Sequence, residues 1–302
     1  MTAGRLTGAA RVARPALVGA FVAFAFCGLF VTAFHAPSPH DVPVGTVDRA
    51  AQAPPGFELR RYASERAARA DLNAGALRGV LVQGRLLVAS AGSVAEAQVV
   101  RAGFPAAEVV DVAPLPAHDS RGLSSVFTTL GVTVAGVAFG ALLTLLGAAA
   151  PLPARLLAIA FFGLVTGLVV ALTVDTLVGA LTGAFWATAG VSALSAAATG
   201  GGTHALGRLA GPPGLAIAVL LFIPLGQSAA AGALGQDLVP SFFGALSDAL
   251  PAGATLSTLR GVVYFDGAGT AAPLLVLAAW AVAGTALTAL LSRPERSRPC
   301  SP

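Results

Sequence analysis

Lysine is absent from this chain, and all 18 basic residues are arginine. No G-x-x-x-x-G-K-[ST] loop can therefore exist, because that loop needs a lysine to reach the outer phosphates of a nucleotide. Gly200-Gly201-Gly202-Thr203-His204 is glycine-rich, but it lacks that cation and follows an apolar run rather than a strand. Hydrolysis of ATP through a P-loop is excluded. Cysteine is scarce: Cys27 lies inside an apolar run and Cys300 near the chain end, so no structural disulfide is expected. No H-E-x-x-H or G-x-S-x-G occurs, and no nucleophile–base spacing stands out. The chain is read as non-enzymatic, without cofactor or bound metal.

Charge is also scarce. Charged residues make up 11% of the chain, against roughly 25% in soluble domains. What takes their place is apolar: 56% of residues are hydrophobic and the mean hydropathy is +0.80. These values describe an integral membrane protein whose first partner is the lipid bilayer. The net charge of +4 does not indicate nucleic acid, because the arginines divide between membrane flanks and one polar segment.

A membrane-spanning helix needs ~20 mostly apolar residues. Ala16–Phe34 is the first such run and Val126–Ala150 the second. The apolar stretch from Leu156 to Ala198 would be about 65 Å long as one helix, twice the ~30 Å bilayer core. It divides at Asp175 into Leu156–Val174 and Thr176–Ala198. Pro213–Ala231 and Pro273–Leu291 complete six spans. Pro151–Arg155 reads as a short proline-rich loop, with no room for a helix between the second and third spans.

Arg5, Arg11, Arg14, Arg155, Arg208, Arg293, Arg296 and Arg298 all fall on one side of this arrangement. The short loops of the other side carry Asp175, Asp237, Asp248, Asp266 and a single Arg260. The excess of arginine places residues 1–15 and the tail 292–302 in the cytoplasm and the protein in the plasma membrane. Residues 35–125 then lie outside and read as a small α+β domain. Val42–Val47 and Gly56–Tyr62 have strand character, and Ser64 caps a helix from Glu65 to about Asn73. Val80–Ser90 forms a hairpin turning at Gln83-Gly84. Ser93-Val94-Ala95-Glu96 is a capping box opening a second helix, and Glu108–Pro114 is the last strand.

Several polar positions have two readings. Asp175 is a hairpin tip or a carboxylate on a transport path. Gln227, beside Ser228, is a helix–helix hydrogen-bond partner or part of a polar pathway. His35, His40 and Asp41 leave the first span while His118 and Asp119 approach the second, which makes them polar linkers or a converging group. Residues 238–265 are too polar and too broken by Pro251 and Gly253 to cross a bilayer. Val239, Phe242, Phe243, Leu246 and Leu250 nevertheless form one apolar helical face, and Leu256, Leu259 and Val263 a second. The segment is either an interfacial linker or a pair of short re-entrant helices.

One local pattern is more specific. It runs from Ser228-Ala229-Ala230-Ala231-Gly232 through Leu238-Val239-Pro240-Ser241-Phe242-Phe243 and Leu250-Pro251 to Leu259-Arg260. Val42-Pro43-Val44 and Val112-Ala113-Pro114-Leu115-Pro116 bracket the outer domain. In these residues and in its layout the chain resembles the type-2 ABC-transporter permeases. The closest likeness is to the bacterial branch with the phage-infection-protein (Pip) and EsaA-like membrane proteins. The resemblance implies an export permease for a hydrophobic or amphiphilic substrate, dimeric with itself or a second permease, and served by a separate ATPase. Asp175, Gln227, Ser228, Phe242, Phe243, Asp248 and Arg260 are the candidates for a transport path or gate. The alternative is a membrane scaffold or surface receptor that acts through the outer domain.

Overall fold

The computed structural model describes residues 3–147 and 149–292. The tail arginines Arg293, Arg296 and Arg298, with Cys300, lie outside the described residues. The chain opens with one long helix, α1 (Ala3–Phe34), which extends the expected first span back toward the N-terminus.

The sheet domain follows as β1 (Val42–Thr46), β2 (Phe57–Arg61), α2 (Glu65–Asn73), β3 (Gly79–Val82), β4 (Arg85–Val88), α3 (Val94–Gly103) and β5 (Glu108–Asp111). This is the order its local signals predict. The Ser64 hydroxyl accepts from the Ala67 N–H at 3.3 Å and caps α2. The β3–β4 turn places Gln83 and Gly84 at φ 50° and 78°, the left-handed pair that a tight hairpin requires.

The strand order is β2-β1-β3-β4-β5. Only β3 and β4 pair antiparallel; β1–β2, β1–β3 and β4–β5 are parallel. The sheet is therefore mixed and covered on both faces, closer to α/β than to the α+β domain expected. A parallel strand must be shielded on both sides, and every residue of β1 is buried. On one face α3 packs Ala97 and Val100 against Val42, Val44, Leu86 and Val88. On the other face α2 packs Ala68 and Leu72 against Leu77, Val80 and Leu87. Leu238 completes the first core and Phe265 packs against the second, so residues from beyond the domain finish both.

The membrane part comprises α4 (Leu123–Leu146), α5 (Leu152–Ala171), α6 (Phe185–Ala210), α7 (Pro212–Leu220), α8 (Gly226–Ala230), α9 (Ser241–Ser247), α10 (Pro251–Tyr264) and α11 (Ala271–Leu290). Among the described residues, five segments are long and apolar enough to cross a membrane: Ala16–Phe34, Leu123–Leu146, Leu152–Leu177, Pro212–Ala230 and Ala271–Leu290. Together with the sheet they make this a multi-pass membrane protein. Pro224, which would break an α-helix, lies in a wide π-turn (Leu221–Leu225) joining α7 to α8.

Two boundaries differ from expectation. Helix α5 begins at Leu152, because a proline in the first turn forfeits no hydrogen bond. Helix α6 occupies Phe185–Ala210 rather than Thr176–Ala198, and it contains the three glycines that were placed after a span. Glycine is tolerated there because α6 is the hub of the bundle and its neighbours press against its backbone. A Cβ on Gly140 of α4 would collide with the Gly200 carbonyl and come within 2.6 Å of Thr203 Cβ. One on Gly284 of α11 would meet Gly201 at 2.7 Å. Between bilayer-embedded helices, such close packing replaces the hydrophobic effect as the source of cohesion.

Candidate functional site

Residues 240–265 form a helical hairpin inserted into the bundle. Pro251 starts α10 instead of breaking it, and Pro251–Leu256, Thr258, Leu259 and Gly261 are buried. The Trp280 indole Nε1–H donates to the Ala249 carbonyl at 2.8 Å. Trp280 lies about 14 Å along α11 from its start at Ala271, so the hairpin tip sits well down the bundle. From that tip α10 climbs back to the sheet domain, where Phe265 packs against Leu72 and its neighbours. The expected apolar face is borne by Val239, Phe243 and Leu250, all buried against Ala33 and Ala229. Phe242 is not buried with them: it is 63% exposed, and its ring meets that of Phe243 edge-on with centroids 5.6 Å apart.

The sheet domain is fastened to the hairpin by two arginines. Arg260 of α10 donates from Nε to Ser125 Oγ (3.2 Å), from Nη1 to the Gly92 carbonyl (2.6 Å) and from Nη2 to the Gly232 carbonyl (2.8 Å). One guanidinium thus ties α10 to the start of α4, to the loop before α3 and to the turn after α8. Arg78, just before β3, lies 2.9 Å from Glu96 Oε2 and 2.6 Å from Asp237 Oδ2. The Asp237 backbone N–H donates to Glu96 Oε1 at 3.1 Å, and Ser93 Oγ donates to the Leu234 carbonyl at 3.0 Å. The expected capping box is only half formed. Ser93 Oγ accepts from the Glu96 N–H, but the Glu96 side chain turns to Arg78 and Asp237. Burial pushes the Glu96 carboxyl above the ordinary carboxylate range, and the Arg78 guanidinium opposes that push. Burial also works against the Arg78 charge, but Glu96 and Asp237 outweigh it and hold the guanidinium above its usual value.

Between the sheet domain and the hairpin lies a cavity of about 470 Å³. Its wall along α10 is one helical face, Gly253, Ala254, Ser257, Arg260 and Gly261. Arg78 and Glu96 lie at the sheet-domain side, Ser247 and Asp248 at the hairpin tip, and Pro273 and Val276 on α11.

The residues expected on a path divide into two groups. Arg260 and Asp248 line this cavity. Gln227 and Ser228 stand behind it in α8, where Gln227 Nε2–H donates to Thr133 Oγ1 at 3.2 Å and Ser228 is fully buried. Phe243 supports the hairpin from below. Asp175 belongs elsewhere: it ends α5 in a π-turn (Leu172–Leu177) and accepts the Gly183 N–H at 2.9 Å, as a hairpin-tip residue does. Asp119 accepts the N–H groups of Leu123 and Ser124 and caps α4. His35 bonds the Val31 carbonyl of its own helix. Among the described residues no three His, Cys, Asp or Glu side chains group to hold a metal ion.

One feature escaped sequence reasoning although its signal was present. Thr188, Ser192, Ser195, Thr199 and Thr203 recur at i, i+4, i+7, i+11 and i+15, and all are fully buried in α6. This hydroxyl stripe runs about 22 Å along the central helix. Ser195 Oγ accepts from Thr255 of α10 at 2.7 Å. The hydroxyls of Thr188, Ser192 and Thr203 have no hydrogen-bond partner among the described residues.

Comparison with protein-family models, with curated proteins and with solved structures finds no match to this chain.

Proposed function

We propose that this chain is a six-span export permease of the plasma membrane, with both termini cytoplasmic, the sheet domain outside, and α6 as the fourth span. In this reading α9 and α10 are re-entrant helices, and the cavity is the outer end of a path for an amphiphilic substrate. The observation that carries it is the hydroxyl stripe of α6. A bilayer-embedded bundle has no reason to bury unpaired hydroxyls along its central helix unless water or a substrate meets them. The residue pattern from Ser228 to Arg260, which resembles type-2 permeases, points the same way. A separate ATPase would power the cycle, and a second copy or a second permease would complete the pair.

Another observation favours the alternative, a scaffold or receptor acting through its sheet domain. On the side away from that domain, α4 ends at Leu146 and α5 starts at Leu152, while α6 ends at Ala210 and α7 starts at Pro212. These connections are too short to form a helix that docks an ATPase. Purification of the tagged protein from its native membrane in mild detergent separates the readings. A nucleotide-binding subunit that co-purifies, and substrate efflux that falls when Ser192 and Thr203 are changed to Val, are the expected results. No such subunit, with efflux unchanged when the cell's candidate ATPase is inactivated, refutes the export reading.

A further inference from the structure

We infer that the cavity beneath the sheet domain is a binding site for an amphiphile bearing an ammonium group, with Asp248 as the residue that takes the cation. The inference rests on the export reading only for the direction in which the ligand moves. A cavity of about 470 Å³ lies within the range of small-molecule sites, roughly 300–1,000 Å³. Its two arginines are already committed. Arg78 faces two carboxylates, and Arg260 spends donors on Ser125, Gly92 and Gly232. Asp248 forms no ion pair among the described residues, is exposed, and lines the cavity where the hairpin turns. A carboxylate carried that far down a bundle is costly unless water or a cation faces it. Ser257, exposed on the same wall, adds a hydroxyl oxygen that can accept from an ammonium, while Leu256, Val276 and Pro273 offer apolar wall for a hydrocarbon chain. What the cavity has left to give is therefore acceptors beside an apolar surface, the complement of a lipophilic amine.

The test uses the full chain in phosphatidylglycerol nanodiscs near neutral pH. Trp186→Phe leaves Trp280 as the sole indole, bonded to the residue next to Asp248. Dodecylamine is titrated against that fluorescence, with dodecanol and dodecanoate as controls of equal chain length. Saturable binding of the amine, at least about tenfold weaker in Asp248→Asn and retained in Asp248→Glu, is expected. Alcohol binding as tight as amine binding, or an unaffected Asp248→Asn variant, overturns the proposal. Should the Asn variant fail to assemble, carbodiimide labelling of Asp248 in the unsubstituted chain decides: dodecylamine protects the carboxylate, and no protection overturns the site. Adding phosphatidylethanolamine separates the two sources of the ammonium. Competition identifies a membrane lipid as the occupant, and its absence identifies a free lipophilic amine; both uphold the site. Amine binding without efflux sinks the export reading alone, whereas efflux without amine binding sinks this inference alone.

Discussion

Replacing Arg78 by Met removes the cation that bridges Glu96 and Asp237 while keeping most of the side-chain volume. The carboxylates are 2.9 Å and 2.6 Å from Arg78 Nε, and the Glu96 side chain is only 6% exposed. At an effective dielectric of about 20, each contact near 3 Å is worth roughly 5–6 kcal/mol of gross attraction, much of it offset by desolvation. Removing one partner from such a group typically costs about 3–5 kcal/mol, because the remaining charge stays buried without compensation. The loss falls on the docking of the sheet domain, since Arg78 and Glu96 belong to the domain and Asp237 to the hairpin approach. Hydrogen exchange of the full chain in detergent should show amides of α3 and residues 234–238 opening roughly a hundredfold to a few thousandfold more readily than in the unsubstituted protein. The pH dependence follows from Glu96. Its carboxyl titrates above its ordinary value in the fold, so the docked state holds the proton more tightly than the undocked one. Its unfavourable contribution is absent in acid and appears as pH rises through the raised value. Without Arg78 the upward push loses its largest opposition, so the defect should be smaller in acid than at neutral to mildly alkaline pH, each compared with the unsubstituted protein at the same pH. Adding Glu96→Gln should restore part of the loss. An equal defect at both pH values, or none, refutes the ion-network account.

Two further outcomes test the packing. Gly140→Ala should lower the stability of the detergent-solubilised protein by about 1–3 kcal/mol, because its methyl meets the α6 backbone and the helices must separate. Gly190→Ala, which meets nothing within 4 Å, should be neutral or stabilising by up to about 1 kcal/mol; thermal melts followed by circular dichroism compare the two. In the sheet domain, Gln83→Asn relieves a left-handed backbone at φ 50° and should slow hydrogen exchange of the β3–β4 hairpin several-fold.

The elements of the sheet domain were legible because their signals are local. A serine three residues before an N–H caps a helix, and a polar residue followed by glycine turns a hairpin. The apolar spans were legible for a similar reason, since a bilayer imposes length and hydrophobicity on a continuous segment. The central helix was misplaced because it meets protein on most sides and lipid on few. Its requirement is smallness, so glycines and hydroxyls that look like a break are its packing surface. Phe242 and Phe243 were read as one face, yet one is 63% and the other 3% exposed. A seven-residue helix presents too narrow a stripe to bury both.

Residue types alone determined that this is a membrane protein without a P-loop, with one small domain of strands and helices and a segment too broken to cross. Tertiary structure decided what those pieces do together. Glu96 and Asp237 are 141 residues apart in sequence, and no periodicity or capping rule relates them. Arg260 was expected on a transport path or gate, and only the fold brings it to Ser125, Gly92 and Gly232. Helix caps, turns and bilayer crossings depend on neighbours in the chain, whereas a buried charge is satisfied by whatever the fold brings within about 3 Å. That difference is why the long apolar runs could be read from the sequence and the cavity lined by Asp248 could not.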